Sequence, residues 1–248
     1  MRRIGLIGGM SWESTAVYYR HINTLVRARQ GGLCSADVLM HSLDFARVVE
    51  CQVAGDWDGA ATMLAGAAEW LVRGGADGVL ICTNTMHLVA PQVSARIAAT
   101  RPGARLIDII DETALALRAA GRRRPLLLAT RYTMEHGFYA AHMRRHGIEV
   151  LTPAAADRQD LHDVIFEELC QGVVLDASRE RLWNVVARGI EAGADSVVLG
   201  CTEVCLLLDP DDLPCPGFDS TAIHAQAAVA FALDSLRDGQ DAAAREAA

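Results

Sequence analysis

The sequence predicts an α/β fold of two pseudo-symmetric three-layer domains with parallel-type sheets and a central cleft. Two observations predict this class. Short apolar runs alternate with longer stretches of helical periodicity, and the segment GADGVLICT at 75–83 recurs as GADSVVLGC at 193–201. Such alternation is typical of α/β proteins, and continuously apolar strands suit a parallel sheet that helices cover on both faces.

The first half of the chain supplies the clearest elements. In chain order we predict a strand from Ile4 to Ile7, a helix from Ser14 to Arg29, a strand from Val38 to His41, a helix from Trp57 to Gly74 and a strand from Gly78 to Cys82. In the second helix, apolar residues recur every three or four positions from Ala60 to Val72, and Gly74-Gly75 is a typical C-terminal stop.

The internal repeat extends to the first strand of each half. Residues 2–7 parallel residues 123–128 at an offset of 121, and the GAD segments match at an offset of 118. We therefore expect a first half-domain at 1–100 plus 211–248, with its C-terminal helix packing back, and a second at 101–210. The alternative is that GAD before an apolar strand is ordinary usage for a helix-to-strand turn.

Composition excludes several function classes. The chain has 248 residues, of which 51% are hydrophobic, so a sizeable core is available. A net charge of −8 argues against a nucleic-acid partner. No apolar run approaches the roughly 20 residues of a membrane span, and Met1-Arg2-Arg3 leads directly into a strand, so we expect a cytoplasmic protein without a membrane partner.

The basic and sulfur-containing residues narrow the chemistry further. All 23 residues of the Lys and Arg class are arginine, which excludes a pyridoxal phosphate aldimine, a Schiff-base aldolase and a Walker A loop. The 7 cysteines are an odd number without a CxxC pair, which favours reduced thiols and no metal site. GGMSWES differs from the dinucleotide motif GxGxxG, so we expect no cofactor.

The repeat selects two candidate catalytic residues. Cys201 aligns with Thr83, whereas Cys82 aligns with Gly200. Because successive strand side chains alternate faces, Thr83 and Cys201 are the expected opposed pair, and participation of Cys82 stays open. A cysteine between a strand and a helix is expected to favour the thiolate, the alternative being a small buried hydrophobe.

Polar residues near this pair are expected to bind a small-molecule substrate. The expected substrate-binding residues are Met10, Ser11, Asn84, Thr85, Thr130, Thr202 and Glu203. Hydroxyls, amides and helix N-termini suit a carboxylate, although N-capping also explains Asn84, Thr85 and Thr202. Glu203 either steers Cys201 or stabilises its own helix, and His87 either orients a neighbour or lies on a helix surface.

Four segments resemble a known family: IGLIGGMSWEST, CTNTMH, LLLATRYTME and GCTEVCLLL are similar to motifs of the aspartate/glutamate racemases, which work without pyridoxal phosphate. The likeness runs from Ile4 to about Leu233. It is greatest for bacterial broad-specificity amino-acid racemases, which include an L-aspartate/glutamate-specific racemase. The resemblance implies a homodimer that racemises L-aspartate, L-glutamate or a broader set of amino acids by proton transfer at Cα.

In that family two cysteines flank the substrate Cα. Here Thr83 occupies the first position and Cys201 the second. The resemblance implies that Cys201 acts on the L-form while Thr83 relays the other proton through water or His87, with unequal turnover of the enantiomers. Arg47, Arg131 and Arg158 are the cations available for an acidic side chain. The alternatives are a single-cysteine decarboxylase or isomerase of the same superfamily, and a non-catalytic amino-acid binding module.

Overall fold

The computed structural model describes residues 1–246, with side chains for residues 1–234. Within that range the strands are β1 (Ile4–Gly8), β2 (Val38–Ser42), β3 (Gly78–Ile81), β4 (Arg105–Leu106), β5 (Pro125–Leu128), β6 (Ser196–Leu199) and β7 (Gly217–Asp219). The α-helices are α1 (Trp12–Gln30), α2 (Phe45–Ala54), α3 (Trp57–Arg73), α4 (Ala90–Thr100), α5 (Ile109–Ala119), α6 (Arg131–Glu135), α7 (Phe138–Arg145), α8 (Ala155–Asp163), α9 (Asp176–Glu191) and α10 (Ser220–Glu246).

The chain forms two compact units, each with its own parallel sheet, which confirms the predicted α/β class. The first unit contains residues 1–82, 89–108 and the chain from 224 onward, and the second contains 83–88 and 109–223. No helix within the described range is both long enough and apolar enough to cross a bilayer.

The sheet of the first unit has the order β2-β1-β3-β4, with every neighbouring pair parallel. Both central strands, β1 and β3, are fully buried. Apolar side chains of α10, such as Ala228 and Val229, pack in one core with Ile4 of β1 and Leu80 of β3. A Cβ on Gly78 would lie 2.5 Å from the ring of Phe231, so the glycine allows α10 to approach β3 closely.

The sheet of the second unit repeats this arrangement. Its strand order is β5-β6-β7, again all parallel, and Leu151 forms a parallel bridge to Leu126 on the free side of β5. The order Leu151-β5-β6-β7 therefore corresponds to β2-β1-β3-β4. The buried residues of β5 and β6 form one core with those of α5 and α9.

The division between the units differs from the expected boundaries. Residues 211–223 lie in the second unit because β7 pairs with β6 and the N–H of Val197 donates to the carbonyl of Pro216 at 3.0 Å. Residues 101–108 lie in the first unit because β4 pairs with β3, and residues 83–88 lie in the second. Residues 247 and 248 of the expected C-terminal segment lie outside the described residues.

The two GAD segments make equivalent contacts. Gly75 and Gly193 have positive φ angles of 99° and 93°, which a residue with a Cβ rarely adopts. The Asp77 carboxylate accepts from the N–H of Arg3 at 2.8 Å, and the Asp195 carboxylate accepts from the N–H of Arg124 at 3.0 Å. Each aspartate thus fixes the start of the first strand of its sheet, which agrees with the internal repeat.

Asp195 also responds to acid. Burial works to raise the pKa of this carboxyl, but hydrogen bonds from the backbone of Arg123 and Arg124 and from Ser196 outweigh burial and lower it. A lowered carboxyl pKa contributes stability above the unfolded value of about 4, and this contribution disappears as the pH falls through the folded value.

Replacing Asp195 tests this turn. We expect Asp195→Asn to lower the free energy of unfolding at neutral pH by about 0.5–1.5 kcal/mol, since the exposed backbone donors of Arg123 and Arg124 lose a charged acceptor. Its stability should also decline less steeply than that of the wild type below about pH 4. Urea unfolding at several pH values measures both effects, with Asp212→Asn at an exposed position as the control. Equal acid dependence in the Asp195 variant and the wild type would contradict this account.

Candidate active site

Thr83 and Cys201 lie at matching positions in the two halves of the repeat. Each follows the residue that donates the last backbone hydrogen bond to the neighbouring strand: Cys82 in one case, at 3.0 Å, and Gly200 in the other, at 2.7 Å. Both residues are half-buried. Each precedes a short 3₁₀ turn, at 85–89 and at 202–206 respectively.

The Asn84 side chain joins the two segments that carry these residues. Its Nδ2 donates to the carbonyl oxygen of Gly200 and to Oγ of Ser220, both at 3.0 Å. Ser220 in turn donates to the carbonyl of Leu199 at 2.9 Å. Sequence reasoning missed Ser220 because it lies 136 positions from Asn84 and belongs to no recognisable motif.

The oxygen of the Asn84 amide is a buried acceptor that receives no hydrogen bond from the described residues. A carbonyl oxygen only accepts hydrogen bonds, so the contact with Gly200 fixes which end of the Asn84 amide is nitrogen. Asn84 is 4% exposed, and its Oδ1 has no hydrogen-bond partner within residues 1–234. Because buried polar atoms are nearly always paired, this oxygen marks a position where a ligand donor fits.

Cys201 is hydrogen-bonded to the carboxylate of Glu203. The thiol donates to Oε2 at 3.0 Å, and Glu203 is buried. Glu203 therefore contacts the sulfur directly, as the steering alternative requires. A carboxylate in this position can take the thiol proton when the sulfur has to act as a base.

The surroundings of Cys201 oppose the thiolate that its position between a strand and a helix was expected to favour. Burial raises the pKa of Cys201 well above its ordinary value, and the negative charge of Glu203 raises it further. A hydrogen bond from the Glu203 backbone opposes these effects but is the smaller influence. The turn that follows is a five-residue 3₁₀ segment without a side-chain cap, so only a weak helix dipole acts on the sulfur.

A second cysteine lies in this electrostatic environment. Burial raises the pKa of Cys170 to about 12, and the charge of Glu203 contributes to that increase. Cys170 also acts on the pKa of Cys201. The sequence offers no local signal for this proximity, because Cys170 sits in a separate 3₁₀ turn at 169–171.

Cys82 belongs to the core of the first unit. Its side chain is fully buried and packs with Ile4, Leu6 and Leu80. Burial alone raises the pKa of this thiol. The side chain thus has the environment of a small hydrophobe, and Thr83 is the residue of this segment that remains accessible.

His87 holds the backbone of Thr83. Its Nδ1 lies 2.8 Å from the carbonyl oxygen of Thr83, and its Nε2 accepts from the N–H of Ile109 at 3.2 Å. Since a backbone N–H only donates and a carbonyl only accepts, the neutral ring with its proton on Nδ1 satisfies both bonds. His87 is buried, which excludes the helix-surface alternative.

Three threonine hydroxyls form a closed triangle near this segment. Thr85 lies 2.9 Å from Thr130 and 3.1 Å from Thr133, and Thr130 and Thr133 are 3.1 Å apart. All three are buried. Thr130 also caps α6 by accepting from the N–H of Thr133. Thr133 was not predicted, although its spacing of three residues from the Thr130 cap is a usable signal.

The remaining predicted residues are arranged as follows. Met10 and Ser11 are buried in the first unit, where Ser11 caps α1 by accepting from the N–H of Ser14 at 3.3 Å. Thr202 is half-buried and opens the turn after Cys201. Arg158 is paired with Glu135 at 2.9 Å, and Arg131 donates to Gln159 at 2.7 Å.

Comparison with known proteins identifies relatives of this chain. Residues 7–228 match the model of the Asp/Glu/hydantoin racemase family. A Yersinia pestis protein described as a candidate Asp/Glu racemase is 44% identical, with a TM-score of 0.86 over 94% of this chain and 100% of that one. An aspartate racemase homologue from Pyrococcus horikoshii OT3 is 30% identical, with a TM-score of 0.80 over 94% and 99% of the two chains.

A more distant likeness concerns the fold alone. A variant of arylmalonate decarboxylase is 16% identical, with a TM-score of 0.57 over 93% of both chains. The family match covers most of the sequence and includes Thr83, Asn84, Cys201 and Glu203. The chain belongs to the Asp/Glu/hydantoin racemase family.

Proposed function

We propose that this protein is a cofactor-independent amino-acid racemase in which Cys201 and Thr83 act on opposite faces of the substrate Cα. One observation carries the proposal: the side chain of Asn84, next to Thr83, is hydrogen-bonded at 3.0 Å to the carbonyl of Gly200, next to Cys201. The two reactive positions are therefore adjacent to a common bridge within the second unit.

Cys201 removes the proton from the L-form. The thiol first passes its proton to Glu203, to which it is hydrogen-bonded at 3.0 Å. The thiolate then takes the Cα proton, and the electron pair of the broken C–H bond spreads onto the substrate carboxylate. A substrate ammonium group beside the sulfur favours the thiolate, because an opposite charge stabilises the ionised form.

Thr83 returns a proton from the other face. Its O–H bond breaks as the new Cα–H bond forms, water restores the proton to the threonine oxygen, and the proton held by Glu203 then neutralises the hydroxide that is left. Both nitrogens of His87 are engaged, by Thr83 and by Ile109, so water is the relay and His87 positions Thr83. A hydroxyl is a much weaker base than a thiolate, so the maximal rates differ between the enantiomers, while kcat/KM stays equal in both directions because the enantiomers have the same free energy.

The polar groups around the pair suit an amino acid. The buried Oδ1 of Asn84 accepts a hydrogen bond from the substrate ammonium group. The substrate carboxylate binds at Thr202 and beside Thr85 and Thr130, one of which turns its O–H out of the threonine triangle so that these donors stabilise the negative charge of the carbanion. Substrate binding by Met10 and Ser11 stays a prediction.

The substrate class extends the same proposal. We infer a preference for L-aspartate or L-glutamate, with Arg131 as the cation for the acidic side chain, because Arg131 directly follows Thr130 and begins α6. Arg158 already pairs with Glu135. A homodimer and a cytoplasmic location stay predictions.

One observation favours a second candidate. A single cysteine at position 201, opposite a threonine, is also the arrangement expected of a decarboxylase that protonates an enediolate after loss of carbon dioxide. The binding-module alternative rests on the same missing cysteine. Carbon dioxide release from substituted malonates identifies the decarboxylase, and amino-acid binding without Cα exchange identifies the module.

Hydrogen exchange at Cα tests the proposed pair. In heavy water, we expect the wild type to incorporate deuterium into L-amino acids and to form the D-enantiomer. Cys201→Ser should lower both rates by about 10²–10⁴-fold, the usual contribution of a positioned base. Thr83→Ala should abolish inversion but still incorporate deuterium with retention of configuration, because Cys201 and Glu203 remain. Proton NMR and chiral chromatography over a panel of L- and D-amino acids measure both quantities.

Two further variants sharpen this experiment. Thr83→Cys should raise kcat/KM in both directions, since a second thiol supplies the missing base. Cys34→Ser removes an exposed thiol elsewhere and should leave every rate unchanged. Near-wild-type conversion of L-amino acids by Cys201→Ser would refute the mechanism, and exchange of no amino acid by the wild type would refute the function.

The role of Glu203 as proton acceptor is tested by measuring two quantities in one variant, the pKa of the Cys201 thiol and the turnover of the L-form. Because the carboxylate raises the pKa of Cys201, Glu203→Gln should make the thiol ionise at lower pH. Turnover of the L-form should nevertheless fall by about 10²-fold or more, since the proton acceptor is lost. The pH dependence of Cys201 alkylation, read on its peptide by mass spectrometry, gives the first quantity. Glu180→Gln, at an exposed position, is the control. Retained turnover in Glu203→Gln would show that Glu203 affects the pKa of Cys201 without accepting its proton.

The positioning role of His87 predicts a selective defect. His87→Leu removes the hydrogen bond to the Thr83 carbonyl and the one from the Ile109 N–H, so inversion should fall while deuterium incorporation with retention, which uses Cys201, continues. His87→Gln restores one bond and should recover part of the inversion rate. Equal losses of both activities in His87→Leu, without recovery in His87→Gln, would indicate general disruption instead.

A further inference from the structure

Two histidines and an aspartate converge on one point in the second unit, and the proposed racemase mechanism uses none of them. Asp111 lies in the first turn of α5, His142 lies in α7, and His146 directly follows α7. Nε2 of His142 is 2.6 Å from Oδ1 of Asp111, and Nε2 of His146 is 2.8 Å from the same oxygen. All three residues are half-buried.

The helix sets the histidine geometry. Residues four apart lie on the same face of an α-helix, so both rings project toward α5. The ring planes are nearly parallel, at 10°, with centroids 5.8 Å apart. One donor atom from each of the three residues falls within 4.8 Å of the other two. The backbone thus brings two imidazole nitrogens and one carboxylate oxygen together without any further rearrangement of the helices.

This donor set matches a borderline divalent cation. Imidazole nitrogen and carboxylate oxygen are both ordinary Zn²⁺ ligands, and three protein ligands with water in the fourth position is a common coordination. Burial works to raise the pKa of Asp111, but the hydrogen bonds from His146 and His142 outweigh it and lower the pKa, so the carboxyl is ionised. The cluster therefore combines one carboxylate with two imidazole rings, all half-buried.

The separations also fit with a small adjustment. Ligand distances of 2.0–2.1 Å place adjacent donors of a tetrahedral Zn²⁺ site about 3.3 Å apart. The nitrogen-to-oxygen separations of 2.6 and 2.8 Å are those of hydrogen bonds, so an entering ion needs the carboxylate to retreat by about half an ångström. Each ring must then carry its proton on Nδ1 rather than Nε2, a change of tautomer that leaves the ring in place.

We propose that Asp111, His142 and His146 bind one Zn²⁺ ion that links α5 to α7, with water completing the coordination. The cysteine pattern gave no indication of this site, because the ligands are histidines of one helix and an aspartate of another. Binding is independent of the proposed racemase activity. The ion stabilises the folded chain by mass action, since the three ligands are together only when the second unit is folded.

Isothermal titration of the full chain with ZnCl₂, after treatment with a chelator, tests the proposal. We expect one equivalent to bind to the wild type and to His136→Gln, which alters an exposed histidine of the same unit. Asp111→Asn and His146→Gln should each weaken Zn²⁺ binding by about tenfold or more, because each removes a ligand. The thermal midpoint should rise with Zn²⁺ in the wild type and rise less in these two variants.

Two spectroscopic measurements distinguish Zn²⁺ binding at the histidines from a folding defect of a variant and from binding at cysteine thiols. Histidine ring NMR of the wild type should show His142 and His146 changing to the Nδ1–H tautomer on addition of Zn²⁺. The absorption spectrum with Co²⁺ should lack sulfur-to-cobalt charge transfer. Binding of equal strength in the wild type and in both ligand variants, or a thiolate spectrum, would overturn the proposal and leave the cluster as a hydrogen-bonded pair of histidines on one carboxylate. Absence of binding would overturn it equally.

Discussion

The side-chain amide of Asn84 is the interaction on which the candidate site depends. Its nitrogen is committed to the backbone of Gly200 and to Ser220, so the amide holds three chain segments together that are far apart in sequence. This commitment fixes the direction of the oxygen, which remains as a buried acceptor. A protein keeps such an atom unpaired at a cost in stability, and a bound ligand relieves that cost.

The environment of Cys201 favours the protonated thiol over the reactive thiolate. Burial and the carboxylate of Glu203 keep the sulfur protonated, and the same carboxylate is the nearest acceptor for its proton. A thiolate is therefore formed only when something compensates the negative charge, and the ammonium group of an amino acid is such a compensator. In the proposed mechanism, this arrangement confines the reactive thiolate to the complex with substrate.

Sequence reasoning predicted much of the fold because periodicity and the repeat are local signals. The elements from Ile4 to Cys82 were located within about two residues of their bounds, although α2, which Asp44 caps, was not among them. The repeat also identified Gly200 as the counterpart of Cys82. The Cys82 side chain is buried, which explains why Thr83 is the accessible residue. The expected boundary at 211 differs from the division of the structure at 223, because the pairing of β7 with β6 is a long-range contact that no local pattern reports. Ser220 and Cys170 were missed for the same reason, since they approach the site from other segments.

The triangle of Thr85, Thr130 and Thr133 has a property that suits mirror-image ligands. Three hydroxyls joined by three hydrogen bonds use every donor once, and the ring can run in either rotational sense with all oxygen atoms in place. Reversing that sense costs only three bond rotations and redirects the lone pairs at each corner. In the proposed racemase, two nearly equivalent proton orders let the same residues meet either enantiomer without any movement of the backbone.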